Sequence, residues 1–463
     1  MHLSPFVVLV VFAAACRSGG TVPSADAIVE GRTEVPVATD TIEERATVLI
    51  DRGRFTLRRS APDTHDFWGD IAVLDLPSAD AAARSVDQLT FALALKQLMA
   101  SDPGGASVAF RALHRNTRDA AVRARARIGL TMALSWRSDW PALAAIGADR
   151  DSVEFVEPGA SNAGVERWGR ALSGVPVPVI DVPDAPVTLP MRRSAFGTPV
   201  VTVRVNGKAR EFWLDTGASM TLISDDVATH AGVTLAALDT LALGVVAGHI
   251  PARAVFIDSL AIGPMVARGL GAALVHRDQL RLDHRFVNGL HETVNIDGVI
   301  GTDVLRLLDL VIDSRAGTIT ISRPQRNPRA VRNLFWVGYP VVRLVTRDGQ
   351  PVLFGLDTGA EGTYVTTTLL RKQPHTPVAM RRGSIVGLGA EEHRTEWVAR
   401  SIALSDGDHT MILRNIPVAP ERRWTFVTFD GVLGSDVALA SRMHLDFLNG
   451  VFEIGPERIA APR

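Results

Sequence analysis

Two hydrophobic patterns divide the chain. Over residues 46–150 apolar side chains recur near helical spacing, with Ser78 as a candidate N-cap and Val86, Leu89, Leu93 and Leu98 as candidate core positions. This predicts a small α-helical domain.

The Ala-rich stretch ARIGLTMALSWRSDWPALAA within this domain resembles part of a tetratricopeptide-type helical hairpin, although no clean repeat period is present.

The second pattern begins near residue 195 and continues to the C-terminus. Short runs of Val, Ile, Leu, Thr and Phe are broken by Gly, Pro and Asp roughly every eight to twelve residues, which is typical of β-strands joined by turns. Between the two patterns, residues 151–194 contain closely spaced prolines, which oppose helix and favour an extended linker.

The β half contains an internal repeat. PVVTVRVNGKAREFWLDTGASM from Pro199 matches PVVRLVTRDGQPVLFGLDTGAEG from Pro340, and the 25 residues from Asp297 align without a gap on those from Asp430. Such a match predicts two copies of one lobe, over residues 195–325 and 333–456.

The repeated motifs resemble those of retropepsin-like aspartic proteases. Each lobe carries Asp-Thr-Gly-Ala, at 215–218 and 357–360, and a later apolar-apolar-Gly, at 299–301 and 432–434. The resemblance covers the last 270 or so residues and none of the helical part. It implies a mainly β fold with two tandem lobes related by a pseudo-two-fold axis, and catalytic roles for Asp215 and Asp357.

The chemistry of peptide hydrolysis explains why two carboxyl groups are needed. A general base takes a proton from water, and a general acid protonates first the carbonyl oxygen and then the leaving nitrogen. Two carboxyl groups about 3 Å apart cannot both ionise, so they share one proton and supply both roles. The titration belongs to the pair, and neither Asp215 nor Asp357 is assigned permanently as acid or base.

Supporting roles are expected around both aspartates. The resemblance implies that the two Thr hydroxyls reach across the axis to the opposite backbone. The Gly after each Thr permits a tight turn close to the carboxylates, and the later Gly leaves room for that turn. The predicted supporting residues are Thr216, Gly217, Thr358, Gly359, Gly301 and Gly434.

Substrate contacts are predicted at Ala218, Ala360, Glu361 and a flap tip at Gly387 and Gly389. In the first lobe, the corresponding tip is expected near residues 244–248. Pepsins usually carry Ser or Thr at the two Ala positions, hydrogen-bonded to the outer carboxylate oxygen. Without that donor the ionised form is less favoured, which predicts activity at mildly acidic to neutral pH.

The N-terminus resembles a bacterial lipoprotein signal. An apolar run and three Ala residues precede Cys16, the only cysteine, which predicts a signal peptide over 1–15, a lipidated Cys16 and a tether over 16–45. The alternative is a plain secretory signal cleaved after the Ala run. Either one predicts export, and the lipoprotein signal places the protein in the bacterial periplasm or at the outer membrane, held by its lipid.

Composition limits the possible partners. The net charge is −1, with 49 basic and 50 acidic residues, so no basic field for nucleic acid is expected. No metal or other cofactor is predicted, and one chain suffices for an active site. The expected partner is an extended peptide or protein substrate, with a further protein partner for the helical domain. The resemblance and the paired aspartates together predict an aspartic endopeptidase; the alternative is an inactive peptide-binding lipoprotein.

Overall fold

The computed structural model describes residues 10–11, 47–51, 66–146, 163–245, 248–285, 291–387, 390–424 and 426–455. Within these residues, strands predominate and the longer helices lie before residue 172, which confirms the predicted mainly β fold class with a helical N-terminal region. None of the described helices is long and apolar enough to cross a membrane. A tetratricopeptide-type arrangement of the helices stays a prediction.

Seven helices of the described residues precede the lobes: α1 (Phe67–Ala72), α2 (Leu76–Ala82), α3 (Val86–Met99), α4 (Pro103–Asn116), α5 (Ala120–Trp136), α6 (Trp140–Ile146) and α7 (Ala163–Ala171). Each of the first five begins after a residue whose side-chain oxygen accepts a backbone N–H of the first turn, as helix N-caps do. These caps are Asp66, Asp75, Ser85, Asp102 and Asp119.

The buried face of α3 differs from the sequence prediction. Ser78 lies inside α2 rather than capping α3, and Val86, Leu89 and Leu93 are 77%, 46% and 53% exposed. The helix carries a second apolar stripe that includes Phe91, and this stripe forms the core. The Phe91 ring centroid lies 5.4 Å from that of Phe110 in α4 and 5.5 Å from that of Phe426 in the second lobe. Aromatic packing therefore selects the Phe91 face and joins the helices to the second lobe.

The β half has the same architecture twice. The strands up to residue 322 are β1 (Val10–Val11), β2 (Thr47–Asp51), β3 (Val179–Asp181), β4 (Val187–Pro190), β5 (Arg192–Arg193), β6 (Pro199–Val205), β7 (Lys208–Leu214), β8 (Leu222–Ser224), β9 (Thr234–Leu235), β10 (Leu241–Val245), β11 (Gly248–Ile262), β12 (Met265–Val275), β13 (Arg281–Arg285), β14 (His291–Asn295), β15 (Gly298–Ile300), β16 (Asp309–Asp313) and β17 (Thr318–Ser322). The later strands are β18 (Leu334–Trp336), β19 (Pro340–Thr346), β20 (Pro351–Leu356), β21 (Tyr364–Thr366), β22 (Val378–Gly387), β23 (Ala390–Ser405), β24 (Thr410–Ala419), β25 (Arg422–Trp424), β26 (Val427–Phe429), β27 (Gly431–Leu433), β28 (Arg442–Asp446) and β29 (Val451–Gly455). Short helices between them are α8 (Asp225–Ala231), α9 (Thr302–Leu305), α10 (Thr367–Lys372), α11 (Ser435–Ala440) and a 3₁₀ helix at Arg277–Leu280.

Strand order shows the duplication directly. In the first lobe the hydrogen-bonded order is β10-β11-β12-β8-β15-β7-β6, and in the second it is β22-β23-β24-β21-β27-β20-β19. Each strand of one series is the repeat equivalent of the strand at the same place in the other. The two-lobe layout predicted from the repeat is confirmed.

A separate five-stranded sheet, β29-β28-β16-β17-β4, joins the lobes. Its central strands β16 and β28 are antiparallel, and Val311 of the first lobe pairs with His444 of the second. Since these are equivalent positions of the repeat, the pseudo-two-fold axis passes between them. Asp313 accepts hydrogen bonds from the backbone N–H of Arg315 and Ala316, which starts the turn into β17.

Two segments outside the repeat add strands to the lobes. Thr47–Asp51, assigned from the sequence to the helical domain, pairs antiparallel with β24 of the second lobe. The predicted linker contains α7, and its extended part pairs with the sheets, β3 with β12 and β4 with β17. Open sheet edges bind extended chain, which explains why proline-rich sequence is ordered there.

Candidate active site

Asp215 and Asp357 occupy equivalent places, directly after β7 and β20. The Asp215 backbone N–H donates to the carbonyl of Ile300 at 3.1 Å, and that of Asp357 donates to the carbonyl of Leu433 at 2.9 Å. These carbonyls belong to β15 and β27, which pair in parallel with β7 and β20. Each aspartate is 2% exposed, so the strand that precedes it delivers the carboxyl group into the interior.

The two carboxyl groups hydrogen-bond to each other, and burial sets their titration. Burial raises the pKa of Asp215 to about 6, against the effect of backbone N–H donors led by that of Gly217. Burial also raises the pKa of Asp357 well above its ordinary value, and the neighbouring charge of Asp215 adds to the rise. Two buried carboxyl groups this close cannot both be ionised, so the pair holds one proton between them, as the proposed chemistry requires.

The two threonines brace the turns symmetrically. The Thr216 backbone N–H donates to Thr358 Oγ1 at 3.0 Å, and the Thr358 backbone N–H donates to Thr216 Oγ1 at 3.0 Å. Each hydroxyl in turn donates to a carbonyl of the opposite lobe, Thr216 to Leu356 at 2.9 Å and Thr358 to Leu214 at 2.7 Å. Four buried hydrogen bonds therefore fix the distance between the aspartates, in the cross-axis arrangement that the resemblance implies.

Gly217 and Gly359 stand against the opposite carboxyl group. A Cβ built on Gly217 would lie 2.5 Å from Cγ of Asp357, and one built on Gly359 would lie 2.4 Å from Cγ of Asp215. The backbone N–H of each glycine donates to the aspartate of its own lobe, at 2.7 Å to Asp215 and 3.0 Å to Asp357. Glycine is needed at both positions because any side chain would overlap the carboxyl group of the other lobe.

Ala218 and Ala360 are buried. A short helix is hydrogen-bonded to each of the two aspartate turns at these alanines. The carbonyl of Ala218 accepts the Thr302 backbone N–H of α9 at 2.7 Å, and that of Ala360 accepts the Ser435 backbone N–H of α11 at 2.8 Å. Thr302 also donates its hydroxyl to Ala218 O at 3.1 Å. The two Ala methyl groups therefore lie in a packed site, and substrate contact through them stays a prediction.

The glycines that precede these helices leave no room for a side chain. A Cβ at Gly301 would lie 2.6 Å from the carbonyl carbon of Met220, and one at Gly434 would lie 2.5 Å from that of Gly362. Both glycines have extended backbone, with φ of −90° and −94°, so the requirement is steric. They allow β15 and β27 to run directly beneath the aspartate turns.

Glu361 is exposed next to the second turn, and its carbonyl accepts the Ser435 hydroxyl at 3.1 Å. Its position leaves the side chain accessible to a ligand. Ser219, its equivalent in the first lobe, is half-buried. A substrate contact at Glu361 stays a prediction.

The predicted flaps are long β-hairpins. Gly387 is the last residue of β22 and pairs with Ala390, while Gly389 lies outside the described residues. In the first lobe Gly244 lies within β10 opposite His249, and Gly248 begins β11. The strand pairing continues to Val245, so Gly244 lies within a strand, and residues 246–247 lie outside the described residues.

The segment between β12 and β15 is long in the first lobe. It forms the β13–β14 hairpin, and β13 contacts β22, the flap strand of the other lobe. The second lobe has the shorter β25–β26 hairpin at the equivalent place, between β24 and β27. The longer β13–β14 hairpin of the first lobe therefore adds a contact between the lobes at the flap of the second lobe.

Tyr339 is a site residue that the sequence prediction missed. Its hydroxyl donates to Oδ2 of Asp357 at 3.3 Å, and the residue is 4% exposed. The argument that both aspartates lack a side-chain donor is therefore wrong for Asp357, where tyrosine replaces the Ser or Thr of pepsins. The repeat itself carries a signal, because each lobe has Gly-x-Pro at the start of its first repeat strand, with Thr198 at x in the first lobe and Tyr339 at x in the second.

Metal ligation finds no support among the residues that the structure describes, where no group of three His, Cys, Asp or Glu side chains is placed to hold an ion. Cys16, the predicted lipidation site, lies outside those residues.

Comparison with known proteins agrees with the resemblance. The family model of aspartyl proteases matches residues 201–304, which include the first aspartate turn. Similar solved structures include a retropepsin-like aspartic protease from Rickettsia conorii, at 16% identity and TM-score 0.21, covering 32% of this chain and 94% of that one. They also include an aspartic proteinase from Irpex lacteus, at 11% identity and TM-score 0.37, covering 59% of this chain and 98% of that one. No curated protein matched the chain. The family match supports an aspartic protease function in general terms.

Proposed function

We propose that this chain is an aspartic endopeptidase that hydrolyses peptide bonds with a water activated between Asp215 and Asp357. The observation that carries the proposal is the pair itself: two buried carboxyl groups, hydrogen-bonded to each other and held by a symmetric four-bond brace. A purely structural role would not require two acids to be buried together at this cost.

The reaction follows from one shared proton. The ionised member of the pair takes a proton from the attacking water while the protonated member donates to the carbonyl oxygen of the peptide. The tetrahedral intermediate then collapses when a carboxyl group protonates the leaving nitrogen. The brace holds both groups within reach throughout, and a displacement of about 1 Å already slows such reactions strongly.

The peptide is proposed to bind as an extended strand between the lobes. Support comes from β10, the flap strand of the first lobe, whose outer edge pairs in parallel with the two-residue strand Val10–Val11. This edge therefore offers backbone groups to an extended segment, as peptide-binding edges do. If the signal peptide is removed before Cys16, Val10–Val11 leave with it and the edge becomes available.

The predicted pH range is mildly acidic to neutral. Burial raises the pKa of Asp215 to about 6 and that of Asp357 well above its ordinary value, so the pair as a unit gives up its first proton in the mildly acidic range. The single negative charge on the pair is then present near neutrality. Peak activity confined to strongly acidic pH would contradict this part of the proposal.

One digestion experiment tests the function. Wild type, Asp215→Asn and the matched control Asp313→Asn, whose carboxylate caps a turn, are incubated with a peptide library. We expect pepstatin-sensitive cleavage by wild type and the control, and none by Asp215→Asn. Binding without cleavage by wild type would instead support the alternative, an inactive peptide-binding lipoprotein.

Export and lipid anchoring at Cys16 are part of the proposal and rest on the sequence alone. Mass spectrometry of the mature N-terminus from a bacterial host should show a diacylglycerol-modified Cys16, with Cys16→Ser as the control that lacks it. An N-terminus after the Ala run without lipid would leave the protein exported but unanchored.

A further inference from the structure

The two lobes differ at one position beside the aspartates. Gly197-Thr198-Pro199 and Gly338-Tyr339-Pro340 precede the first repeat strand of each lobe, and both glycines have left-handed backbone, with φ of 83° and 81°. The glycine therefore has the same backbone conformation in both lobes, although the turns differ in length: Arg193 pairs with Pro199 across the first and Trp336 with Pro340 across the second. The middle side chain is a hydroxyl-bearing residue in each, but the two are of very different length.

The hydroxyls reach different partners. Thr198 is fully buried, and its hydroxyl donates to the carbonyl of Gly359 at 3.4 Å. Tyr339 reaches past the backbone to Oδ2 of Asp357, while Oδ1 accepts the backbone N–H of Gly359 and Ala360 at 3.0 and 2.9 Å. Asp357 thus has a donor on each oxygen besides its partner carboxyl.

Packing holds the Tyr339 ring in this orientation. Its centroid lies 5.8 Å from that of Phe429, and a Cβ on Gly355 would come within 2.7 Å of its Cε1. The backbone also fixes the turn, since the Val337 N–H donates to the Tyr339 carbonyl at 3.1 Å. The hydroxyl therefore needs no rearrangement to meet the carboxylate.

Other charged groups near this turn have partners of their own. Asp430, directly before β27, pairs with Lys372 at 2.7 Å, and Asp436 of α11 accepts the Thr363 hydroxyl at 2.6 Å. Asp215 is the ionisable group of the first lobe that faces Asp357. Among the described groups, Tyr339 and Asp215 are thus the side chains that act directly on Asp357.

We propose that Tyr339 is a positioning residue that orients Asp357 and stabilises the singly ionised state of the carboxyl pair, in place of the absent hydroxyl at Ala360. The inference rests on the proposed proteolytic function, because it assigns a means of tuning that site. Since a hydroxyl donor favours the charged form, it lowers the pKa of Asp357 and partly opposes the rise caused by burial. The first lobe has the Thr198 contact instead, so the tuning acts through one aspartate.

The first test is the pH dependence of kcat/KM for wild type, Tyr339→Phe and Thr198→Val. Phe keeps the ring packing and removes the donor. The acidic limb of Tyr339→Phe should move upward by about one pH unit, as expected when an ionised carboxylate loses one donor. The limb of Thr198→Val should not move, because that hydroxyl bonds a carbonyl. An unshifted limb in a correctly folded, active Tyr339→Phe would overturn the inference and leave the proposed function intact.

The second test needs no catalytic activity. The chain contains 2 tyrosines, so protein labelled with ¹³C at tyrosine Cζ gives two signals, and Tyr364→Phe identifies that of Tyr339. Between about pH 3 and about pH 9 the Tyr339 signal should titrate with the carboxyl pair, and Asp357→Asn should abolish the titration. A signal independent of pH in wild type would overturn the inference. If wild type cleaves no peptide, the proposed function fails while this experiment still decides the role of Tyr339.

Discussion

The two lobes share the features that position both carboxyl groups, and they differ in the side chains that surround each aspartate. The strand order, the threonine brace and the glycines against the opposite carboxylate are the same in both lobes. The differences are Tyr339 against Thr198, exposed Glu361 against half-buried Ser219, and the β13–β14 hairpin of the first lobe. Duplication therefore keeps the geometry of the pair, while the surroundings of each aspartate have diverged.

The helical region sharpens this contrast, because it packs unequally on the lobes. Phe91 meets Phe426 of the second lobe, and Arg343 of that lobe donates to the Leu74 carbonyl. The first lobe is contacted by α7, whose Trp168 Nε1 donates to the Ala242 carbonyl of β10 at 3.1 Å, and by α5, whose Trp136 carbonyl accepts a hydrogen bond from Arg306. The Arg306 guanidinium also lies over the rings of Trp136 and of Trp336 in the second lobe. Burial lowers the pKa of Arg306 to about 10, which leaves it charged at neutral pH.

The largest expected effect tests whether both aspartates are needed for peptide cleavage. Asp215→Asn and Asp357→Asn should each lower kcat/KM by about 10³-fold or more, because a site with one Asn in place of an aspartate cannot supply both the general acid and the general base. The measurement is peptide cleavage by each purified variant. Substantial activity in either one would show that a single lobe carries the chemistry.

The next effect concerns the glycines. Gly217→Ala and Gly359→Ala should each reduce activity by more than about 100-fold, because the new methyl group would lie 2.5 or 2.4 Å from the opposite aspartate and would force the turns apart. Gly407→Ala serves as the control for loss of a glycine far from the pair, since nothing lies within 4 Å of its added Cβ, although its φ of +112° adds backbone strain there. An active Gly359→Ala with an inactive Gly217→Ala would break the symmetry of the close approach.

Thr216 and Thr358 should contribute equally to the hydrogen bonds that join the two aspartate turns. Thr216→Val and Thr358→Val each remove two buried hydrogen bonds, and each should lower the free energy of unfolding by about 2–4 kcal/mol. Urea unfolding of the two variants measures this loss. Values that differ by more than about 1 kcal/mol would show that one lobe carries most of the brace.

The raised pKa values of the pair predict how stability depends on pH. An aspartate in the unfolded chain has a pKa near 4, so above that pH the folded protein binds more protons than the unfolded chain does. The pair therefore makes the free energy of unfolding fall as pH rises from about 4 through about 6 and beyond. One proton corresponds to a slope of about 1.4 kcal/mol per pH unit. Asp215→Asn should flatten this slope between about pH 4 and about pH 7. An unchanged slope would contradict a shared, burial-raised proton.

The smallest effect concerns the sheet between the lobes. Burial alone would lower the pKa of His444, but hydrogen bonds to Asp309 of the first lobe and to Glu453 outweigh it and raise the pKa to about 9. This stabilisation is complete below the unfolded value near 6.5 and is lost as pH rises through about 9. His444→Gln should cost about 1–2 kcal/mol at pH 6 and little near pH 10, with unchanged peptide cleavage. A cost that does not vary with pH would point to packing rather than charge.

The sequence by itself determined the duplication and the identity of the pair. Gap-free repeats that keep Asp-Thr-Gly-Ala and apolar-apolar-Gly specify which residues are equivalent, and chemistry then explains why two carboxyl groups are present. Tyr339 was in principle visible in the Gly-x-Pro repeat. Its contact with Asp357 was not, because sequence comparison gives equivalence and does not give the reach of one side chain.

Only the tertiary structure decided which of several compatible patterns is used. On α3 two apolar stripes exist, and the Phe91 stripe is buried because Phe110 and Phe426 pack on it, while Val86, Leu89 and Leu93 face solvent. The proline-rich linker and Thr47–Asp51 became edge strands because open sheet edges in the lobes accept them. Local sequence sets what a segment can form, and tertiary contacts set which face is buried and which hydroxyl reaches the carboxyl pair.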